Sequence, residues 1–317
     1  MSLRRFILKR ILLIAPILIG VSLITFALVH LTPGDPIDRM LGMNPDVTDH
    51  EEAVIRQRYG FDQPFYVQYW DWLSGVLTGD FGEVIASGRE VETVVWDRLP
   101  ETIVLGIFGW VFAIVIAIPT GIYAAVNKDK LGDTLSRFAA LSGISIPNFW
   151  LGLILIMIFA LQLDIWSTTA PRASLLSSEM LFYLILPGVT IGTAAAASLM
   201  RVMRTSMAEE MNKEYVMAAR AKGLPERTVI LKHVLRNSLI SVITLAAVLT
   251  ASIVAGSVVV EYVFNWPGLG REFVDAIHDR EINLIMAITL LTGVVIVLAN
   301  LVADILYAVL DPRIRYD

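Results

Sequence analysis

Six stretches of this chain carry no charged side chain and are each long enough to cross a membrane. They are Ile11 to Val29, Thr102 to Val126, Phe138 to Leu163, Leu181 to Met200, Asn237 to Val260 and Ile282 to Ala303. At about 1.5 Å per helical residue, about 20 apolar residues cover the roughly 30 Å of hydrocarbon in a bilayer. A chain of 317 residues that is 56% hydrophobic and 17% charged, with a mean hydropathy of +0.67, holds more apolar surface than one soluble core can bury. Lipid is therefore its solvent. An open sheet in lipid leaves backbone groups unpaired, so the six runs are predicted to be transmembrane helices of an all-α polytopic membrane protein. The absence of cysteine excludes disulfides, thiolate metal sites and cysteine nucleophiles.

The distribution of Lys and Arg sets the expected orientation. With the N-terminus inside, segments 1–10, 127–137, 201–237 and 311–317 hold 17 of the 25 basic residues, and the longer outer segments hold 8. This bias predicts that both termini are cytoplasmic. Counting Glu101 and Glu261, the outer side carries 21 carboxylates against those 8 cations, a surface that suits cationic ligands, a basic partner, a salty exterior or simple solubility. Arg4 and Arg5 before an apolar run resemble a twin-arginine export signal. The run is longer than a typical signal core, lacks a small-residue cleavage site before Pro33 and precedes five more spans, so it reads as an uncleaved first helix.

Three segments are expected: a transmembrane helix over 1–31, an external segment over 32–100, and a five-helix core over 101–317 that contains a cytoplasmic loop at 204–237. The external segment opens with the turn-forming Thr32, Pro33, Gly34, Asp35 and Pro36. Its aromatic cluster of Tyr66, Tyr69, Trp70 and Trp72, with Trp96 further on, predicts short helices on the outer membrane surface. Pro16, Pro119, Pro147 and Pro187 are each expected to kink or break a span, either opening a transport cavity or only shaping packing. Gly188 and Gly192, followed by Ala194 to Ala197, give the fourth span a face that another helix backbone can approach closely.

The loop after the fourth span is basic and amphipathic from Glu214 to Ser238. A helix is predicted from about Ser206 to Lys222, with Met211, Tyr215, Ala218 and Ala219 on one stripe and Glu209, Glu210, Lys213 and Arg220 off it. Gly223 ends that helix and Pro225 blocks its return. A second short helix, Glu226 to about Arg236, then leads into the fifth span. The result is a compact knob. On chemistry alone it either docks a partner protein or rests on anionic membrane lipid.

This segment resembles the EAA loop of ABC importer permeases, and its wording is close to that of the dipeptide, oligopeptide and nickel permease family. The likeness extends to TPGDP at Thr32 to Pro36, YGFDQPFYVQYWDWLSGVLTGDFG at Tyr59 to Gly82, EYVFNWPGLGR at Glu261 to Arg271 and DPRIRY at Asp311 to Tyr316. Ala218, Ala219 and Gly223 match the core of the general pattern. Its glutamate falls on Met217 and its later proline on Arg236, while the peptide-permease version carries its acid three residues earlier, at Glu214. The resemblance implies a type I importer permease in the cytoplasmic (inner) membrane. Its ATPase-coupling loop would comprise Glu214, Tyr215, Ala218, Ala219, Arg220, Lys222, Gly223 and Leu224. The implied partners are a second homologous permease, two ATP-binding cassette subunits and an external solute-binding protein. Peptides are the leading implied substrate, ahead of nickel complexes and oligosaccharides.

The remaining chemistry is sparse. The chain has no GxxxxGK[ST] phosphate loop, so no cofactor is expected on it, and ATP and Mg are expected on the partner ATPases. His30, His50, His233 and His278 lack metal-ligand spacing, and neither GxSxG nor HExxH occurs, so neither a metal site nor a catalytic residue is expected. Nucleic acid is not an expected partner. Asp304 is the one acidic residue expected within a membrane helix, near its cytoplasmic end, with Arg313 or Arg315 as its ion-pair partner. The alternative class is an ion-coupled secondary transporter or channel, which needs its own midplane ion site. Six uncharged spans argue against a carboxylate-based one. A purely structural subunit or receptor would leave the pattern around Gly223 without a task.

Overall fold

The computed structural model describes residues 3–31, 49–171 and 173–310. The turn at Thr32 to Pro36 and the stretch Asp311 to Tyr316, with Arg313 and Arg315, lie outside these residues. Helices make up the regular structure, with one isolated bridge between Glu83 and Glu90. In chain order they are α1 (Leu3–Leu31), α2 (Asp49–Arg58), α3 (Phe65–Thr78), α4 (Val91–Val126), α5 (Leu131–Ser145) and α6 (Asn148–Gln162). Then follow α7 (Ser178–Tyr183), α8 (Ile185–Glu210), α9 (Glu214–Ala221), α10 (Glu226–Val263), α11 (Leu269–Asp279) and α12 (Ile282–Leu310).

Among the described residues five helices are long and apolar enough to cross a membrane: Arg10–Leu31 of α1, then α4, α8, α10, and Ile282–Ile305 of α12. A sixth is counted only if α5 and α6 form one span, and these two are bent by 101°. The third apolar run is therefore not a straight helix. Pro147 cannot donate to the carbonyl of Gly143 and pushes the residue before it out of the helical region, and Ile146 is extended at φ −83° and ψ 122°. Pro187 interrupts the fourth run without redirecting its backbone: α7 stops at Tyr183, the residue whose carbonyl a non-proline 187 would have bonded, while Leu184 and Leu186 keep helical geometry. By contrast, α1 and α4 stay helical through Pro16 and Pro119.

The chain packs as two units. In the first, Ile103–Trp266 with the stretch from Ile296, α8 is the most enclosed of the long helices. Its small residues explain why. A β-carbon on Gly192 would lie 2.5 Å from the carbonyl oxygen of Gly109 on α4, and one on Gly188 would run into the Phe108 ring. The expected close approach is thus made by α4. At one end of α8, Trp166 stacks on Tyr183 with ring centroids 4.4 Å apart, and Tyr183 on Trp266 at 6.1 Å. The Tyr183 hydroxyl donates to the carbonyl of Phe264, so the aromatic part of the Glu261 to Arg271 motif closes this end.

The second unit takes the described residues of Leu8–Thr102 together with Pro267–Val295. Phe26 of α1, with Ile282 and Met286 of α12, is packed by Tyr69 and Trp72 of α3, and the Tyr69 hydroxyl lies 2.9 Å from Ser22 Oγ. The aromatic cluster therefore divides: Tyr69 and Trp72 pack inward, whereas Tyr66 and Trp70 are exposed. Glu281, buried just before α12, accepts the backbone N–H groups of Ile85 at 2.7 Å and Ala86 at 2.8 Å, which anchors the turn ahead of α4. Burial raises its carboxyl above the ordinary glutamate value, and those two donors counter the shift.

The α4–α8 approach makes a direct prediction. Gly192→Ala forces a β-carbon onto backbone and is expected to cost about 1–3 kcal/mol. Gly106→Ala, where the new carbon meets nothing within 4 Å, should leave stability unchanged or raise it by up to about 1 kcal/mol. Thermal denaturation of the two purified variants measures the difference.

Candidate functional site

The loop after α8 is built outward from a buried base. Met203 and Met207 on the last turns of α8 are fully enclosed, as are Val216 of α9 and Val229 and Val234 of α10, all in one apolar core. Next to Met203 on α8, Arg204 forms an ion pair with a buried partner. Asp133, in the first turn of α5, is inaccessible to solvent, and both its oxygens accept from the Arg204 guanidinium, Nη2 to Oδ2 at 2.7 Å. The backbone N–H of Asp129 adds a bond at 3.0 Å, and Arg137 stands 3.7 Å away. This fork fixes the start of α5 to the end of α8.

The predicted helix from Ser206 to Lys222 is not continuous. α8 runs on to Glu210, and Met211 to Lys213 form a turn before α9 begins. Lys213 and the Tyr215 hydroxyl both donate to the Glu210 carboxylate, which draws the two helix ends together. Asn237 on α10 donates to the Tyr215 hydroxyl oxygen at 2.9 Å, so Tyr215 ties three elements. Burial, then the bond to Glu210, holds the phenol above its ordinary value, and it stays a neutral donor at physiological pH.

Gly223 sits at φ +78°, the left-handed conformation that glycine adopts without cost. Leu224 N–H donates to Ala219 O at 3.4 Å and Gly223 N–H to Arg220 O at 2.9 Å, the paired bonds that close a helix on a C-terminal glycine. Pro225 then starts α10, and the expected second short helix is the first part of this 38-residue helix, with a π turn at Val229–Val234. Across the bend Arg220 grips Glu226 with two bonds, 3.1 and 2.6 Å, and that carboxylate raises the guanidinium above its ordinary value. The bend is rigid.

The predicted stripe is shifted. Val216 and Ala219 face the core, while Tyr215, Met217, Ala218, Arg220, Lys222, Gly223 and Leu224 are exposed. Glu214 is also exposed, in the first turn of α9, where a carboxylate complements the helix dipole. One small projection thus gathers the eight residues Glu214, Tyr215, Ala218, Ala219, Arg220, Lys222, Gly223 and Leu224, although Ala219 serves its packing. Met217 on α9 is 53% exposed and Leu231 on α10 45%. Sequence reasoning missed the supports, namely Asp133, Arg204, Glu210, Glu226 and Asn237. Only Glu210 with Lys213 had a local signal, an i,i+3 charge pair. Asp133 and Arg204 are 71 residues apart.

Elsewhere, His30 bonds the carbonyl of Phe26 and the side chain of Gln68. No group of three or more His, Asp or Glu side chains able to hold a metal occurs among the described residues. Asp304 is half-buried on α12.

Known proteins share this sequence closely. Residues 117–316 match the family described as binding-protein-dependent transport system inner membrane component, and residues 3–106 match the N-terminal part of such membrane components. The chain is 40% identical over 316 residues to the oligopeptide transport system permease protein AppB of Bacillus subtilis, covering 98% of this chain and 99% of that one. It is 40% identical over 311 residues to the glutathione transport system permease protein GsiC of Escherichia coli K12, with the same coverage. The GsiC of Salmonella typhimurium is 39% identical over 311 residues.

Two substitutions test the architecture of the loop. Asp133→Asn leaves a buried guanidinium without its counter-charge and is expected to lower stability by about 3 kcal/mol in chemical denaturation. Gly223→Ala meets no atom within 4 Å, so its cost is left-handed backbone strain alone, about 1 kcal/mol, and Gly223→Asn should cost less.

Proposed function

The chain belongs to the family of binding-protein-dependent transport system inner membrane components, and on that premise we propose that it is one of two permease subunits lining the pore of an ATP-driven ABC importer. The observation that carries the reading is the braced projection Glu214 to Leu224, continuous with α8 and α10. A pore helix pair that ends in a rigid, partly apolar and cationic knob is suited to receive force from outside the membrane.

In this reading residues 101–317 form the permease core, 32–100 an external segment and 1–31 the first span, with both termini cytoplasmic. Two ATP-binding cassette subunits hold the ATP and Mg, and none is held here. Each permease inserts its projection, Ala218 and Gly223 leading, into one ATPase. Closure of the ATPases on ATP moves the projections, and α8 and α10 carry the motion into the span, switching a pore between two states. A solute-binding protein delivers substrate outside. The relatives named for oligopeptide and glutathione transport make short peptides the favoured cargo.

Gly223→Arg tests this. The bulky cation should abolish peptide uptake in vesicles containing the complex and cause the ATP-binding subunits to be lost on purification. The melting temperature should stay within about 5 °C of the parent. Undiminished uptake with the ATPases still bound would overturn the docking role.

A further inference from the structure

Between α4, α5 and α8 lies a cavity of about 380 Å³ that is not part of the coupling loop. Phe112 and Thr193 line one end, and Thr120, Ser136 and Met200 the other, with Ala139 exposed along its side. The groove is polar only on paper. Thr120 donates to Ile116 O, Ser136 to Gly132 O and Thr193 to Val189 O, so each hydroxyl is satisfied within its own helix. An occupant gains nothing there by hydrogen bonding. It must be apolar.

Shape narrows the choice. From Phe112 to Thr120 the groove follows α4 for about 12 Å, an elongated apolar slot of the kind that one hydrocarbon chain fills lengthwise. Charge supplies the rest. Arg137 follows Ser136 and is 53% exposed, and Arg201 lies one turn beyond Ala197 on α8, exposed and with no ion pair among the described residues. Both follow residues that mark the same end of the groove, Ser136 and Met200, the end where the turn between α4 and α5 carries Lys128 and Lys130, and Arg137 also stands 3.7 Å from Asp133. We propose that this groove holds one acyl chain of an anionic phospholipid, with its phosphate at Arg137 and Arg201.

The test uses the whole purified complex, equilibrated with vesicles of equal phosphatidylglycerol and phosphatidylcholine, washed in mild detergent and read by native mass spectrometry. The parent should retain phosphatidylglycerol in preference to phosphatidylcholine. Ala139→Phe, which fills the groove from its open side, should abolish that excess. The double variant Arg137→Gln with Arg201→Gln should lower it about fivefold or more while leaving phosphatidylcholine unchanged. Both arginines are exposed, so the double variant carries the test even if Ala139→Phe fails to fold. Equal retention of the two lipids by the parent, unchanged preference in the double variant, or a crosslink from position 139 to a partner helix would each overturn the proposal.

Discussion

Backbone-to-backbone approach of α4 and α8 at Gly109, Gly188 and Gly192 is the constraint on which the rest of the first unit depends. Lipid gives helices no hydrophobic reason to associate, because the tails are as apolar as the side chains. Close packing has to supply the attraction, and small residues allow it. With α4 this near, α8 is enclosed along most of its length, and its direction is set before its last turns leave the apolar run. The aromatic stack of Trp166, Tyr183 and Trp266 closes one end, and the Asp133–Arg204 pair fixes the other.

The projection beyond α8 is joined to it through Glu210, Lys213 and Tyr215, and to α10 through Asn237 and the Arg220–Glu226 fork. Every join is a polar bond to a named side chain, so α9 is tied to both of its neighbouring long helices. Gly223 makes the bend possible and contributes no side chain to it. The surface of the knob is mixed: Met217, Ala218 and Leu224 are exposed beside Glu214, Arg220 and Lys222.

The apolar runs, the glycine stop before Pro225, the α8 small-residue face and the break at Pro147 were all legible in the sequence, because each follows from local chemistry. The same rules failed where tertiary context decided. Pro16 and Pro119 do not break their helices, because one missing bond is small against helices of 29 and 36 residues. The stripe of Met211, Tyr215, Ala218 and Ala219 was misplaced because the turn at Met211 to Lys213 resets the helical phase, and Val216 with Ala219 then faces the core. The Asp133–Arg204 pair left no trace in spacing, since two charges far apart in the chain carry no signal until the helices around them are placed.

The proposed role is that of one half of a pore driven by separate ATPases, rather than a self-sufficient transporter. Native mass spectrometry of the protein drawn from its own membrane in mild detergent tests that most directly. The expected particle contains a second permease and two ATP-binding subunits. A particle without ATP-binding subunits that still moves substrate in ATP-free vesicles would contradict it.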